Sequence, residues 1–249
     1  MRGLEGFLGA DMILEEMTME EFRRALKKTR TLALPFGTVE AHGAHLPLHT
    51  DTLIIREVLK EASKRVPFFV APALPYGVCT STGGHPGTLG ITPETLRRFT
   101  SDIVKDAYRK GMRNFILISG HGGGLHVNAM REAGEALVEE LKGIRLAAFS
   151  IYEVLGKEAE EIAETRNDSH AGEMETSSVL FLAPHLVKGR SREEYPDFPK
   201  PFIVKDKMRR WKGAVWGDPG KATSEKGQRL FEIMVERVVE LIRKAGRVR

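Results

Sequence analysis

Two rhythms of apolar residues alternate along this chain. Short continuous runs at 31–36 (T-L-A-L-P-F), 114–119 (N-F-I-L-I-S) and 145–151 predict buried strands, and a run at 68–74, broken by Pro72, predicts another. Between them lie stretches with helical spacing. Residues 17–27 have Thr18 as a cap candidate, with Glu20 and Glu21 early and Lys27 late, as the helix dipole favours. The stretch 52–65 puts Leu53, Ile54, Val58, Leu59 and Ala62 on one face. A helix opens at Thr92-Pro93 and runs toward Gly111, a second spans 125–141, and the last runs from 224 to 244. Strands alternating with helices of this length predict right-handed βαβ units and a mostly parallel sheet covered on both faces, an α/β fold. Residues 77–90 are too rich in glycine to form a regular element. Residues 184–219 are rich in proline and basic residues, carry Trp211 and Trp216, and read as a lid or an oligomer contact.

Composition narrows the class. A chain of 249 residues with 41% apolar and 29% charged residues suits one large globular domain spanning 1–249, without repeat or linker. The net charge of +4 is 38 basic minus 34 acidic groups, with Arg243, Lys244, Arg247 and Arg249 clustered at the carboxy terminus. With no basic patch interleaved with aromatics, nucleic acid is not the expected partner. Cys79 is the single cysteine, which excludes an intrachain disulfide and a thiolate-based zinc site. No run of about 18 apolar residues could span a bilayer, and no leader pattern opens the chain, so a cytoplasmic protein is expected.

Candidate chemistry concentrates after the predicted strands. Residues 37–51, G-T-V-E-A-H-G-A-H-L-P-L-H-T-D, hold Glu40, His42, His45, His49 and Asp51 directly after the first strand. Open α/β sheets place their chemistry at the carboxyl ends of strands. Mixed carboxylates and imidazoles suit Zn, Mn or Fe(II), and are enough to begin a two-metal site with a shared carboxylate. The same residues also fit a solvated polar loop. After the third strand, Gly120-His121-Gly122-Gly123-Gly124 fits either a ligand at the same sheet edge or an anion-binding turn; no Lys-Ser/Thr pair follows to make it a P-loop. A third piece, His170-Ala-Gly-Glu173-Met-Glu175-Thr-Ser177, opens a helix into the core. There Glu173 and Glu175 also fit first-turn acids, and Asp168 a cap.

Taken together, the 37–51 motif, H-P-G-T at 85–88, G-H-G-G-G at 120–124 and H-A-G-E-M-E-T-S at 170–177 resemble the creatininase (creatinine amidohydrolase) family in order and spacing. Gly217-Asp-Pro219 and residues 222–227 extend the resemblance along nearly the whole chain. It implies a three-layer αβα sandwich, two divalent metal ions per subunit, hydrolysis of a C–N amide or cyclic amide bond in a small molecule, and commonly a homo-hexamer. By the same resemblance Glu40, His42, Asp51 and His121 match metal ligands, with Asp51 the bridge and Glu175 the remaining ligand. His170 matches the proton carrier. Apart from the resemblance, Glu173 is read either as a reserve proton carrier or as a first-turn acid favoured by the dipole.

Departures bear on substrate. Creatininase itself has a ligating glutamate two residues after the loop histidine; here that position is Gly123, which argues against creatinine and places more weight on Glu175. No tryptophan precedes His170, and His85 replaces a phenylalanine. We expect His85, Gly122, Gly123 and Arg166 to face the substrate, and His45 and His49 to orient ligands or serve as plain polar residues. Some family members deformylate formamidopyrimidine nucleotides in flavin and deazaflavin synthesis, and others process small modified peptides. The competing readings are a phosphoesterase using the same ligands, a non-catalytic metal protein, and a nucleotide-binding module built on residues 120–124.

Overall fold

A computed structural model gives the placement of residues 12–247. Arg249 and the first eleven residues, on which part of the charge and leader readings fell, lie outside the described residues.

Four strands form the sheet: β1 (Thr31–Phe36), β2 (Phe69–Val70), β3 (Asn114–Ser119) and β4 (Arg145–Ser150). All pair in parallel, in the order β2-β1-β3-β4. β1 and β3 run in register over six residues, from Thr31 opposite Asn114 to Phe36 opposite Ser119, so their carboxyl ends finish level. The strand predicted at 68–74 is shorter than expected. Pro35 and Pro72 bring no N–H to that side of β1, so continuous pairing stops at Val70 and resumes only as a bridge between Phe36 and Leu74.

The pleat sorts the core into two halves. Leu32, Leu34, Phe36, Phe115 and Leu117 face the helices α1 (Met19–Ala25), α3 (Pro93–Arg109) and α4 (Gly124–Glu140). Ala33, Ile116 and Ile118 face α2 (Thr50–Ser63) and α7 (Ser224–Arg247), with α5 (Lys157–Glu160) and α6 (Glu173–Leu182) on the same side. Helices on both faces of a parallel sheet make the αβα sandwich that the sequence predicts. Thr18 caps α1 in a reciprocal box with Glu21, and Thr92 caps α3 with Pro93 behind it.

α2 begins two residues earlier than its apolar stripe, which moves Asp51 from the loop into the first turn of a helix. That turn sits against the end of β3. A Cβ on Gly120 would lie 2.1 Å from the Asp51 carbonyl oxygen, so only glycine permits the approach.

Candidate metal centre

The carboxyl ends of β1 and β3, the first turn of α2 and the first turn of α6 meet at one point. Glu40, His42, Asp51, His121 and Glu175 are all buried there, from segments up to 135 positions apart in sequence. Asp51 lies between two imidazoles. Its Oδ1 is 3.1 Å from His42 Nε2, and its Oδ2 is 3.2 Å from His121 Nδ1. Glu40 Oε2 lies 2.9 Å from the same His121 nitrogen, and Glu175 Oε2 lies 3.6 Å from His42 Nε2.

Second partners fix these groups. His42 Nδ1 donates to the Glu40 carbonyl at 2.9 Å, which leaves Nε2 to face the carboxylates. Thr38 donates to Asp51, and Thr82 donates to Glu40. Glu175 accepts from the Ala171 N–H at 2.6 Å and from the Tyr152 hydroxyl at 3.2 Å. Ala171 supplies that N–H from a left-handed conformation (φ 48°), a strained backbone of the kind found at functional sites.

Charge pairing dominates the electrostatics. Burial alone would lift Glu40, but the His121 imidazole beside it holds it at about 2; Asp51 is likewise held well below the usual carboxylate range by His42 and His121. Burial would lower His42, yet Asp51 and Glu175 raise it to about 10, and Glu40 and Asp51 raise His121 in the same way. Without a metal, therefore, these imidazoles are cations among carboxylates.

The donor set fits divalent metal. Ligand atoms of His42, Asp51 and Glu175 fall within 4.8 Å of one another, as do those of Glu40, His42 and His170. Among the described residues, Glu40 Oε2 and His121 Nε2 are buried without a hydrogen bond, although Glu40 Oε2 is within reach of an imidazole nitrogen. Around His121 Nδ1, Glu40 Oε2 at 2.9 Å and Asp51 Oδ2 at 3.2 Å converge, one nitrogen and two carboxylate oxygens of the kind a divalent cation takes once the imidazole is deprotonated.

His170 lies beside this cluster, its ring 4.2 Å from that of His42 and edge-on to Trp211 at 5.2 Å. Its Nε2 donates to the Ala41 carbonyl at 2.8 Å, so Nδ1 is the basic nitrogen. Burial, and then the His42 charge, lower its pKa. The open space here is a cleft of about 240 Å³, lined by Glu40, His121, His170, Glu175, Trp211 and Trp216. Backbone bonds between His170 and Trp216 stitch the tryptophan segment to the cluster.

The other expected site residues divide between the cleft and its surroundings. Gly122 and Gly123 line the cleft. His85 does not: it is buried, with Nε2 against the Trp211 carbonyl at 2.5 Å and Nδ1 against that of Thr82 at 3.2 Å, so it anchors the tryptophan segment. Arg166 is exposed and outside the cleft wall. Glu173, expected as a reserve proton carrier, is taken up elsewhere. It accepts from the N–H groups of Glu164 and Thr165 and pairs with Lys226 at 2.7 Å. Sequence reasoning missed Tyr152, whose position two residues past an apolar strand carries no signal, and Thr38 and Thr82, ordinary loop threonines. It also missed that Cys79 lies within ligand distance of Glu40 and His121. Burial, and then the charges of Glu40 and Asp51, raise that thiol.

The family profile described as creatinine amidohydrolase matches residues 15–242. The chain belongs to the creatininase family. Creatinine amidohydrolase of Pseudomonas putida is 28% identical over 95% of this chain and 98% of its own length. The mycofactocin precursor peptide peptidase of Mycobacterium tuberculosis is 29% identical over 85% of this chain and 84% of its own. The solved structure named creatininase Mn is 25% identical and superimposes with a TM-score of 0.81, covering 94% of this chain and 98% of that one. This creatininase-family protein is accordingly a hydrolase, an amidohydrolase with clustered metal-binding side chains.

Proposed function

We propose that this creatininase-family chain works as one domain that hydrolyses the C–N bond of a small amide or cyclic amide with two divalent metal ions. The observation that carries this reading is Asp51, whose two oxygens face two different histidines. Glu40 and His121 would hold one ion, His42 and Glu175 the other, and Asp51 would serve both. Imidazole and carboxylate donors fit Zn, Mn or Fe(II), and the metal in the name of the solved relative is among them. When bound, such ions bring the pKa of a coordinated water toward neutrality and polarise a carbonyl.

The rest of the chemistry falls to the chain. His170, kept neutral by burial, takes a proton at Nδ1 and passes it to the departing nitrogen while the Ala41 carbonyl holds the ring. Gly122 and Gly123 leave the approach to His121 open, and Trp211 and Trp216 shield the cleft from water. Glycine at 123 argues against creatinine as substrate. Because the mycobacterial relative is called a peptide peptidase, short modified peptides join formamides, formamidopyrimidine nucleotides, lactams and cyclic guanidines in the screen. A homo-oligomer, with a hexamer as the expectation, belongs to the same reading, supported by the exposed apolar pair Phe202 and Ile203; sedimentation velocity tests it.

The deciding experiment is metal analysis alongside that hydrolysis screen. Two equivalents per chain, both lost in Asp51→Ala together with amide hydrolysis, are expected. Loss of a single equivalent would refute the shared role, and turnover of p-nitrophenyl phosphate without any amide turnover would refute the reaction.

A further inference from the structure

The 240 Å³ cleft beside the metal cluster is smaller than the roughly 300–1,000 Å³ usual for small-molecule sites. It does not end at its own wall. A second cavity of about 520 Å³ shares Gly122, Gly124, Ser169 and Glu175 with it, and together the two fall inside the usual range. The shared wall is open because it is glycine. A Cβ on Gly122 would meet nothing nearer than 3.9 Å, and one on Gly124 nothing within 4 Å.

The chemistry of this second lobe is specific. Ser150 is 1% exposed and lines the lobe, yet its hydroxyl proton has no acceptor among the described residues. The amino-terminal turn of α4 opens onto the same space with Gly123 as its cap, so no side chain satisfies its first N–H groups and no acid occupies its first turn. Asn128 adds an amide. The same wall carries acceptors: Asp168, whose two oxygens take the N–H groups of Glu173 and Met174, and Glu153, which accepts the Ser150 N–H at 2.9 Å and pairs with Arg131 at 2.8 and 2.9 Å. A carboxylate or phosphate would suit the donors but would lie among these two carboxylates. Hydroxyl groups, which both donate and accept, suit such a mixed wall.

We infer that the lobe binds a neutral, hydroxyl-rich substituent of the amide substrate, of sugar-like size, held by Ser150, Asn128 and the first turn of α4. The inference rests on the proposed reaction only for the position of the bond that is cut.

The test uses the full-length zinc-loaded protein and two formamides of similar bulk, N-formyl-D-glucosamine and N-cyclohexylformamide, with binding followed by saturation-transfer NMR. The sugar-bearing probe is expected to bind about tenfold more tightly. Ser150→Ala should weaken it about three- to tenfold, the worth of one neutral hydrogen bond. Asn128→Trp, at an exposed helical position on the lobe wall, should abolish its binding with metal content and circular dichroism unchanged. Equal affinity for the two probes, no binding of the sugar-bearing one, or full affinity in Asn128→Trp would overturn the inference. Selective binding without hydrolysis of either probe would keep the lobe and count against the reaction. Hydrolysis of both without preference would keep the reaction and remove the lobe.

Discussion

Between His42 and His170 the same residue type is given opposite tasks by its neighbours. His42 faces Asp51 and Glu175 and is raised to about 10, whereas His170 touches a backbone carbonyl and is lowered by burial and by His42 itself. A group lowered in this way is neutral at pH 7 and free to accept a proton. His170→Ala should therefore keep both metal equivalents while kcat falls about 10²–10⁴-fold. His170 also lies within ligand distance of Glu40 and His42, so loss of metal in that variant would reassign it as a ligand. The residue types of the centre were legible because Glu, His and Asp cluster after apolar runs. What each one does was less so: Glu173 and Glu175 look alike in sequence, but one helical residue between them turns Glu173 to Lys226 and Glu175 to His42. The sequence already sets Gly123 apart as the position lacking a glutamate, but its close approach to the ring shows only in three dimensions, where a Cβ would lie 2.3 Å from His121 Nε2.

Elements carry the site by packing closely where small residues permit it. α6, which bears Glu175, rests on α7 at Gly227, where a Cβ would lie 1.9 Å from the Ser177 carbonyl oxygen and 2.9 Å from the Phe181 Cβ. In Gly227→Ala, alanine's helix preference returns about 1 kcal/mol. Overpacking costs about 1–3 kcal/mol, and a backbone atom as the obstacle favours the upper end. A net loss of about 2 kcal/mol corresponds to a fall in Tm of roughly 4–8 °C for a chain of this size. Differential scanning calorimetry against the exposed control Gln228→Ala checks it; an unchanged Tm would mean the helices do not meet at Gly227. Nearby, Lys226 bridges Glu164 and the buried Glu173. Lys226→Met leaves that carboxylate with only two backbone donors, and a loss of about 3 kcal/mol in urea unfolding is expected. Neither contact was visible in the sequence, because apolar periodicity sets which face of α7 is buried and not which partner it meets. Periodicity did place β1 and β3 to the residue; it overran at β2, where proline chemistry outweighed apolar content, and missed the polar first turn of α2.

Across the whole molecule, the candidate metal cluster ties the sheet to the helical layer on one of its faces, since its side chains come from the loops after β1 and β3 and from the first turns of α2 and α6. Metal bound to the folded chain alone therefore stabilises the entire fold. At a free concentration one hundred times Kd the gain is about 2.7 kcal/mol per site, or roughly 5–10 °C in Tm. The size of that gain depends on pH in a direction the cluster dictates. In the metal-free protein, the raised pKa of His42 contributes stability that is fully present below 6.5 and lost as pH rises through about 10. The lowered pKa of Glu40 contributes stability present above 4.5 and lost as pH falls through about 2. Both contributions are in full force between about pH 4.5 and 6.5, where the metal-free fold is best held. Metal requires neutral imidazoles, so binding must release the protons of His42 and His121, and apparent affinity weakens as pH falls, by up to about tenfold per proton per pH unit. At fixed total zinc, the Tm difference between zinc-loaded and chelated protein should therefore widen from pH 6 to pH 8.5. Calorimetry at neutral pH in buffers of different ionisation enthalpy should count about two protons released as the cluster fills. A Tm difference that does not change with pH, or zinc uptake without proton release, would mean that His42 and His121 do not hold the metal.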